Sequence, residues 1–226
     1  MAEDPRLAIL GAHALFAGLS LRSLEELLAQ AVGRELAQGE LLFRAGEPGG
    51  QLYAVLEGRV RIFAAGAAGA EITLNLLGPG EVFGEIAMLD GAERTASAAA
   101  LEPSRLLQLR RESVLAAMRH HPELAERIIL LLCRRLRWTS EQVEDSAFLP
   151  LAARLAKRLL ALTDEGGAKL RLSQRDLAAL VGASREAVNK LLAEWRLAGA
   201  IRQRRQELTL LDPAALRRVL EESETT

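Results

Sequence analysis

Residues Pro122–Phe148 read PELAERIILLLCRRLRWTSEQVEDSAF, a stretch without glycine whose single proline stands at its first position. A helix tolerates proline there, because the N–H that proline lacks would have no partner within the helix in any case. The segment is therefore predicted to form one long helix. We take it as the element around which the rest of the chain is arranged.

A row of residues along this helix recurs at alternating steps of four and three, which is the spacing of a coiled-coil seam. The row consists of Ala125, Ile129, Leu132, Leu136, Thr139 and Val143. A seam of this length needs a partner of the same length, and no other stretch of the chain offers one. The spacing predicts a homodimer whose interface contains Ala125, Ile129, Leu132, Leu136 and Val143. The alternative is a core helix in a monomer.

Thr139 occupies a seam position that stability alone would give to Leu or Ile, and Ser140 places a second hydroxyl beside it. A polar group in an interface is costly unless a hydrogen bond satisfies it. The two hydroxyls therefore need a partner near the middle of the predicted dimer axis.

Outside this helix the charge is distributed unevenly. Residues 1–150 carry 15 Lys and Arg against 20 Asp and Glu, whereas residues 151–220 carry 14 against 7. The basic C-terminal part indicates a polyanionic partner, and a solvated basic face is the alternative.

Cysteine usage and the N-terminus limit the class of protein. Cys133 is the only cysteine, which excludes a disulfide framework and a cysteine-based metal site. No basic segment precedes the apolar run 7–21, and this run is too short to span a membrane. We expect a cytoplasmic protein without a membrane partner or a bound metal.

The chain divides into three regions that differ in their residue pattern. After two short N-terminal helices, the second capped by Ser20, short apolar runs separated by glycines predict an antiparallel barrel or jelly roll. The long helix follows, and after Pro150 come an amphipathic helix (151–162), a polar turn (163–169) and two closely spaced helices. The predicted domains are residues 1–121, 122–149 and 150–226, in an α+β fold.

A first group of polar residues lies in the predicted roll. Gly84-Glu85 opens a short helix, and Arg94-Thr95 follows after a polar stretch. Arg94 offers a bidentate guanidinium and Thr95 a hydroxyl, which suit a phosphate, while the Glu85 carboxylate can accept a sugar hydroxyl. Taken alone, the Glu–Arg combination is equally consistent with a surface ion pair.

A second group lies in LSQRDLAALVGASREAVNKLLAEW, residues 172–195. Ser173 and Asp176 have capping-box spacing, and Gly182 suits a tight turn between two helices, so the stretch predicts a helix-turn-helix. A strand hairpin after it predicts a wing. The expected DNA contacts are Ser184, Arg185, Glu186, Asn189 and Lys190 on the second helix and Arg204 on the wing, with Arg202 and Arg205 near phosphates.

Two motifs resemble one known family. FGEIA followed by RTA resembles the phosphate-binding cassette of cyclic nucleotide-binding domains, and RRLRWTSEQV resembles the dimer helix of the cyclic-AMP receptor protein/FNR family. The resemblance covers essentially the whole chain. It implies a β jelly-roll nucleotide-binding domain, a long dimerisation helix and a C-terminal winged helix-turn-helix.

The resemblance also implies roles for single residues. Gly84 and Glu85 would hold the ribose of cyclic AMP, Arg94 and Thr95 the cyclic phosphate, and Thr139 and the partner copy's Ser140 the purine. It further implies a palindromic DNA operator and contact with RNA polymerase. Trp138 is bulkier than the family's usual residue, which bears on base preference. Lys190 replaces the family's Arg, which bears on the preference for the half-site TGTGA.

The function expected from the sequence is thus transcription regulation under the control of cyclic AMP. Within the family, the alternative is a regulator with another effector or none. An enzyme is not expected, because the sequence carries no metal-ligand motif and no nucleophile elbow. A module that acts through protein contacts alone would not need the basic helix-turn-helix.

Overall fold

The computed structural model describes residues 5–12, 15–16, 18–66, 71–166, 169–204 and 207–224. The chain divides into two compact units. One consists of the chain up to Ala64 together with Leu74–Arg137, and the other of Ala65–Thr73 together with the chain from Trp138 onward. The division falls inside the long helix. The domain boundaries expected from the sequence stay a prediction.

The N-terminal part contains the predicted β roll. Its strands are β1 (Val32–Leu36), β2 (Leu41–Phe43), β3 (Gln51–Glu57), β4 (Val60–Ala65), β5 (Glu71–Leu77), β6 (Val82–Phe83), β7 (Ser97–Ala100) and β8 (Ser104–Arg110). They form two four-stranded sheets, in the orders β1-β8-β3-β6 and β2-β7-β4-β5. β3 pairs antiparallel with β8, with Gln51 opposite Arg110.

The helices of this part are α1 (Pro5–Ala12), α2 (Leu21–Ala29), α3 (Glu85–Asp90) and α4 (Arg111–His120). Ser20 caps α2 as predicted, since its side chain accepts a hydrogen bond from the backbone N–H of Ser23. One apolar core lies between α1, α2 and the first sheet and includes Phe16 and Leu52. A second core, which includes Phe43, Tyr53 and Phe83, lies inside the roll.

The long helix, α5 (Pro122–Phe148), has the extent predicted from the sequence. Leu124 and Ile128, one helical turn apart, are buried in the first apolar core. Other apolar residues of the helix point away from that core: Ile129, Leu136 and Val143 are 59%, 69% and 65% exposed. The long helix thus has one apolar face that packs on the core of its own chain and a second apolar face that is exposed.

The C-terminal part forms a winged helix-turn-helix. Its elements are α6 (Leu151–Gly166), β9 (Lys169–Arg171), α7 (Gln174–Val181), α8 (Arg185–Leu197), β10 (Ile201–Arg204), β11 (Glu207–Leu210) and α9 (Pro213–Glu224). β9, β10 and β11 form a sheet in the order β10-β11-β9, which confirms the predicted wing hairpin.

One local prediction is wrong. Residues 163–166 were expected in a polar turn, but α6 continues to Gly166. The hydroxyl of Thr163 donates to the carbonyls of Leu159 (3.0 Å) and Leu160 (2.8 Å), so it bonds back into the helix instead of ending it.

Within the described ranges, no helix is both long enough and apolar enough to cross a bilayer.

Candidate ligand site and nucleic-acid interface

The turn between β6 and α3 requires glycine. Gly84 has φ +82° and ψ +9°, a left-handed conformation that side chains other than glycine rarely adopt. A Cβ atom at this position would lie 2.6 Å from Nη1 of Arg94 and 2.9 Å from the carbonyl oxygen of Gln51. Gly84 therefore allows the Arg94 guanidinium to pack directly against the backbone of the turn.

The short helix α3 is fixed at its other end as well. Gly91, at φ +76°, ends the helix, and its N–H donates to the carbonyl of Ala87. The Arg111 guanidinium donates to the carbonyls of Met88 and Leu89, the latter at 2.8 Å. These bonds satisfy carbonyls that a helix end leaves without partners, so the position of α3 is set at both ends.

A cavity of about 70 Å³ lies beside this helix. Its lining residues come from the roll, from α3 and from α5: Phe43, Ile62, Phe83, Gly84, Glu85, Ile86, Ala87, Arg94, Thr95, Ala96 and Arg135. The fold thus brings together Gly84, Glu85, Arg94 and Thr95, which the sequence singled out. Thr139 and Ser140 are exposed on α5, and their part in ligand binding stays a prediction.

Arg94 is only 4% exposed and is held on several sides. Its Nη1 donates to the carbonyls of Gln51 and Gly84, both at 3.0 Å, and its Nη2 donates to Oε1 of Gln51 at 3.2 Å. Its guanidinium carbon lies 4.3 Å from the centroid of the Phe43 ring and 5.5 Å from that of Tyr53. These contacts preset the orientation of the side chain.

Burial shifts the pKa of both Arg94 and Tyr53. It lowers the pKa of Arg94 from its ordinary value, against the opposing effects of Tyr53, Glu85 and Glu47. It also raises the pKa of Tyr53, which the charges of Arg94 and Arg34 oppose. Arginine remains charged in proteins at neutral pH. The cavity therefore presents a fixed positive charge.

Glu85 is 1% exposed and forms an ion pair with Arg135, which also donates to the carbonyl of Val82. Arg135 was not among the site residues predicted from the sequence. A signal for its role existed, since Arg135 precedes Thr139 by four positions and therefore shares its side of the helix. Phe43, Tyr53 and Gln51 carried no such signal, because they belong to strands of ordinary apolar pattern.

Two buried polar atoms at this cavity lack hydrogen-bond partners in the part of the chain that the structure describes: Nε of Arg94 and Oε1 of Glu85. Buried polar atoms without a partner are rare in folded proteins and each needs an explanation. One atom is a cationic donor and the other an anionic acceptor. Together they suit a molecule that carries both an anion and a hydroxyl group.

The helix-turn-helix is built as the sequence predicted. Ser173 and Asp176 form a reciprocal capping box at the start of α7. Gly182 ends that helix in the left-handed conformation, at φ +62°. Ser184 caps α8 by accepting a hydrogen bond from the N–H of Ala187 at 3.2 Å. Val188 is fully buried, which anchors the second helix to the domain core.

The predicted DNA contacts lie mainly on the surface. Arg185, Glu186 and Lys190 on α8 are exposed, as are Ser184 before it and Arg202 and Arg204 on β10. Asn189 is half-buried, and its Oδ1 is enclosed without a hydrogen-bond partner among the described residues. Arg205 lies outside the described residues. The contacts themselves stay a prediction.

The described residues contain no group of three or more His, Cys, Asp or Glu side chains placed to hold a metal ion.

Two family models match parts of this chain. Residues 33–121 match the cyclic nucleotide-binding domain, and residues 153–219 match the Crp-like helix-turn-helix domain. The chain is 35% identical over 219 residues to the CRP-like cAMP-activated global transcriptional regulator of Mycobacterium tuberculosis, which covers 93% of this chain and 97% of that protein. It is 40% identical over 189 residues to the cyclic AMP receptor protein of Thermus thermophilus, which covers 83% of this chain and 88% of that protein.

A solved structure extends the comparison to the fold. The c-di-GMP-responsive global regulator CLP of Xanthomonas campestris superposes with a TM-score of 0.75 at 27% identity, covering 84% of this chain and 99% of that one.

A cyclic nucleotide-binding domain and a Crp-like helix-turn-helix in one chain define a DNA-binding transcription regulator. Such proteins are regulators and not enzymes. The chain belongs to the cyclic-AMP receptor protein/FNR family.

Proposed function

We propose that this protein is a homodimeric transcription regulator whose DNA binding is controlled by cyclic AMP held in the roll cavity. The observation that carries the proposal is the pair of buried, unpartnered atoms at that cavity, Nε of Arg94 and Oε1 of Glu85. A cyclic nucleotide offers one partner to each of them. Its phosphate accepts from a guanidinium, and its ribose 2′-hydroxyl donates to a carboxylate.

The choice of cyclic AMP rests on the relatives and on the hydroxyls of the long helix. Both relatives compared here by sequence carry cyclic AMP in their names. In the proposed complex Thr95 joins Arg94 at the phosphate, and Gly84 joins Glu85 at the ribose. Thr139 and the partner copy's Ser140 contact the purine.

The homodimer is proposed from the second apolar face of α5. Ile129, Leu136 and Val143 are more than half exposed in a single chain, which is costly for large apolar side chains repeated along one helix. A second copy of α5 covers this face. Two copies present two α8 helices, so the operator is palindromic, and the regulator acts in the cytoplasm together with RNA polymerase.

A different effector is the second candidate. The ion pair between Arg135 and Glu85 already neutralises the carboxylate without a nucleotide. In addition, the structurally similar Xanthomonas campestris regulator responds to c-di-GMP. A regulator with another ligand, or with none, is consistent with both observations.

Calorimetric titration with cyclic AMP, cyclic GMP and c-di-GMP separates these candidates. Cyclic AMP is expected to bind, and Arg94→Leu to weaken its binding by about 2–3 kcal/mol, because charge-assisted bonds are lost and an anion is left without its counter-charge. Arg105→Leu is the control, since Arg105 is 48% exposed and pairs with Glu57 on the surface. Equal binding by Arg94→Leu and the parent would place the ligand elsewhere.

DNA footprinting at one fixed salt concentration tests the regulation itself. If cyclic AMP favours one placement of the two α8 helices, it tightens operator binding by roughly 5–150-fold, the usual range of allosteric coupling. Equal protection with and without cyclic AMP would contradict control by this ligand and favour the second candidate.

A further inference from the structure

Gln51 supplies two of the three hydrogen-bond acceptors that hold the Arg94 guanidinium. Its backbone carbonyl accepts from Nη1 at 3.0 Å and its side-chain Oε1 accepts from Nη2 at 3.2 Å. The third acceptor is the carbonyl of Gly84. Gln51 is half-buried at the first position of β3, so the sheet fixes its backbone carbonyl.

These bonds determine which edge of the Arg94 guanidinium remains for a ligand. Both N–H groups of Nη1 and one of the two on Nη2 donate to these acceptors, and the guanidinium plane packs against Phe43. Nε is buried without a partner among the described residues. The side chain of Gln51 thereby selects the edge of the guanidinium that can receive an anion.

The chemical type of this acceptor matters as much as its position. An amide oxygen is neutral, so it orients the guanidinium and leaves its positive charge available. A carboxylate at the same place would form a charge-assisted pair with the guanidinium and would compete with any incoming anion. An apolar side chain would leave Nη2 buried without its acceptor.

We propose that Gln51 is a positioning residue, which holds Arg94 in its anion-binding orientation and preserves its charge for the phosphate of the effector. This inference deepens the proposed function and rests on it. Gln51 does not touch the ligand. It acts through Arg94, and the neutrality of its amide is the property that ligand binding requires.

The test compares Gln51→Glu and Gln51→Met with the parent, by cyclic AMP calorimetry and by thermal unfolding without ligand. Gln51→Glu keeps an acceptor of the same length, so the ligand-free protein should unfold at the same temperature as the parent or higher. Its affinity for cyclic AMP should nevertheless fall roughly ten- to a hundredfold, the value of a charge-assisted bond. Gln51→Met should lower both the unfolding temperature and the affinity.

Gln108→Leu is the matched control, because Gln108 is a half-buried glutamine on the adjacent strand β8, opposite Tyr53. It should bind cyclic AMP like the parent. Parent-like binding by Gln51→Glu, or a loss of affinity that merely follows a loss of folding stability, would overturn the role of Gln51 alone. A parent protein that does not bind cyclic AMP would instead overturn the proposed function, and this inference with it.

Discussion

The guanidinium carbon of Arg158 lies 4.8 Å from the ring centroid of Trp138, so a cation–π contact joins α6 to α5. Burial lowers the pKa of Arg158, and the charges of Asp145 and Glu141 oppose this shift. Trp138 directly precedes Thr139. Trp138 thus packs on the first helix of the C-terminal part.

This contact should contribute measurable coupling to stability. A double-mutant cycle of Trp138→Leu and Arg158→Met, followed by urea unfolding, should give a coupling free energy of about 1 kcal/mol, as expected for a partly buried cation–π pair. Arg218 offers the control, since it is 61% exposed and pairs with Asp212. A cycle of Trp138→Leu with Arg218→Met should give no coupling. Zero coupling in both cycles would contradict an energetic role for the contact.

Gly84→Ala should impair the ligand site specifically. The left-handed backbone costs about 1–2 kcal/mol for a residue with a Cβ, and the added atom would also push on Arg94 and Gln51. Gly80→Ala is the matched control, because Gly80 has φ +84° but no described atom lies within 4 Å of its Cβ position. Both variants should lose stability on thermal unfolding, but only Gly84→Ala should lose cyclic AMP affinity, by about tenfold or more. Similar affinities would show that the site tolerates displacement of Arg94.

Leu136→Asp should dissociate the proposed dimer. Leu136 is 69% exposed, whereas Leu132 also packs against the core of its own chain, so Leu136 reports on the dimer more cleanly. In a dimer, the substitution buries two like charges across the axis without partners, at a cost of several kcal/mol. Analytical ultracentrifugation should show the mass of a single chain. The control Leu21→Asp, on the exposed face of α2, should keep the parent mass, and an unchanged mass for Leu136→Asp would remove the coiled-coil interpretation.

Substitution of two arginines should distinguish contacts that read the base sequence from contacts with the DNA backbone. Arg185→Ala, on α8, should cost about 1–3 kcal/mol on the preferred operator and relax the preference at one base pair of each half-site. Arg204→Ala, on the wing, should weaken binding to all sequences alike and reduce the slope of affinity against salt by about one. Gel-shift titrations at several salt concentrations measure both effects. The opposite pattern for the two variants would reverse their assigned roles.

Tyr53 should make the fold less stable in alkaline solution. Burial raises the pKa of its hydroxyl above the ordinary value of 10.0, so above pH 10 the unfolded chain loses this proton before the folded one. The free energy of unfolding should therefore fall as the pH rises from 10 through the pKa of Tyr53 in the folded protein. Below pH 10 Tyr53 should cause no such loss. Tyr53→Phe should remove it in unfolding experiments. Tyr53 is the only tyrosine, so phenolate absorbance follows it directly, and an ordinary titration in the folded protein would contradict the prediction.

The elements of this protein were largely predictable from the sequence, and so was the group of Gly84, Glu85, Arg94 and Thr95 that lines the roll cavity. Pro122, the absence of glycine and the seam spacing defined α5, and Ser173 and Ser184 marked the starts of the two helices of the helix-turn-helix. These signals depend on residues a few positions apart, because helix spacing, capping and left-handed turns are local properties of the backbone. Thr163 shows the limit of such rules. Its hydroxyl donates to the carbonyl of Leu160, so the residue stays inside α6 although its type favours a turn.

The tertiary structure decided how the cassette residues are held. Arg94 takes its acceptors from Gln51, Glu85 pairs with Arg135, and Trp138 packs on Arg158. Each pair joins residues at least twenty positions apart, which no periodic pattern relates. Their meeting depends on strand register, on the packing of α5 against the roll and on the contact of α6 with α5. Burial then gives these contacts the strength that exposed pairs lack. The sequence by itself determined which residues have the chemistry for an anion and a hydroxyl, and only the folded chain determined which of their atoms remain without partners for a ligand.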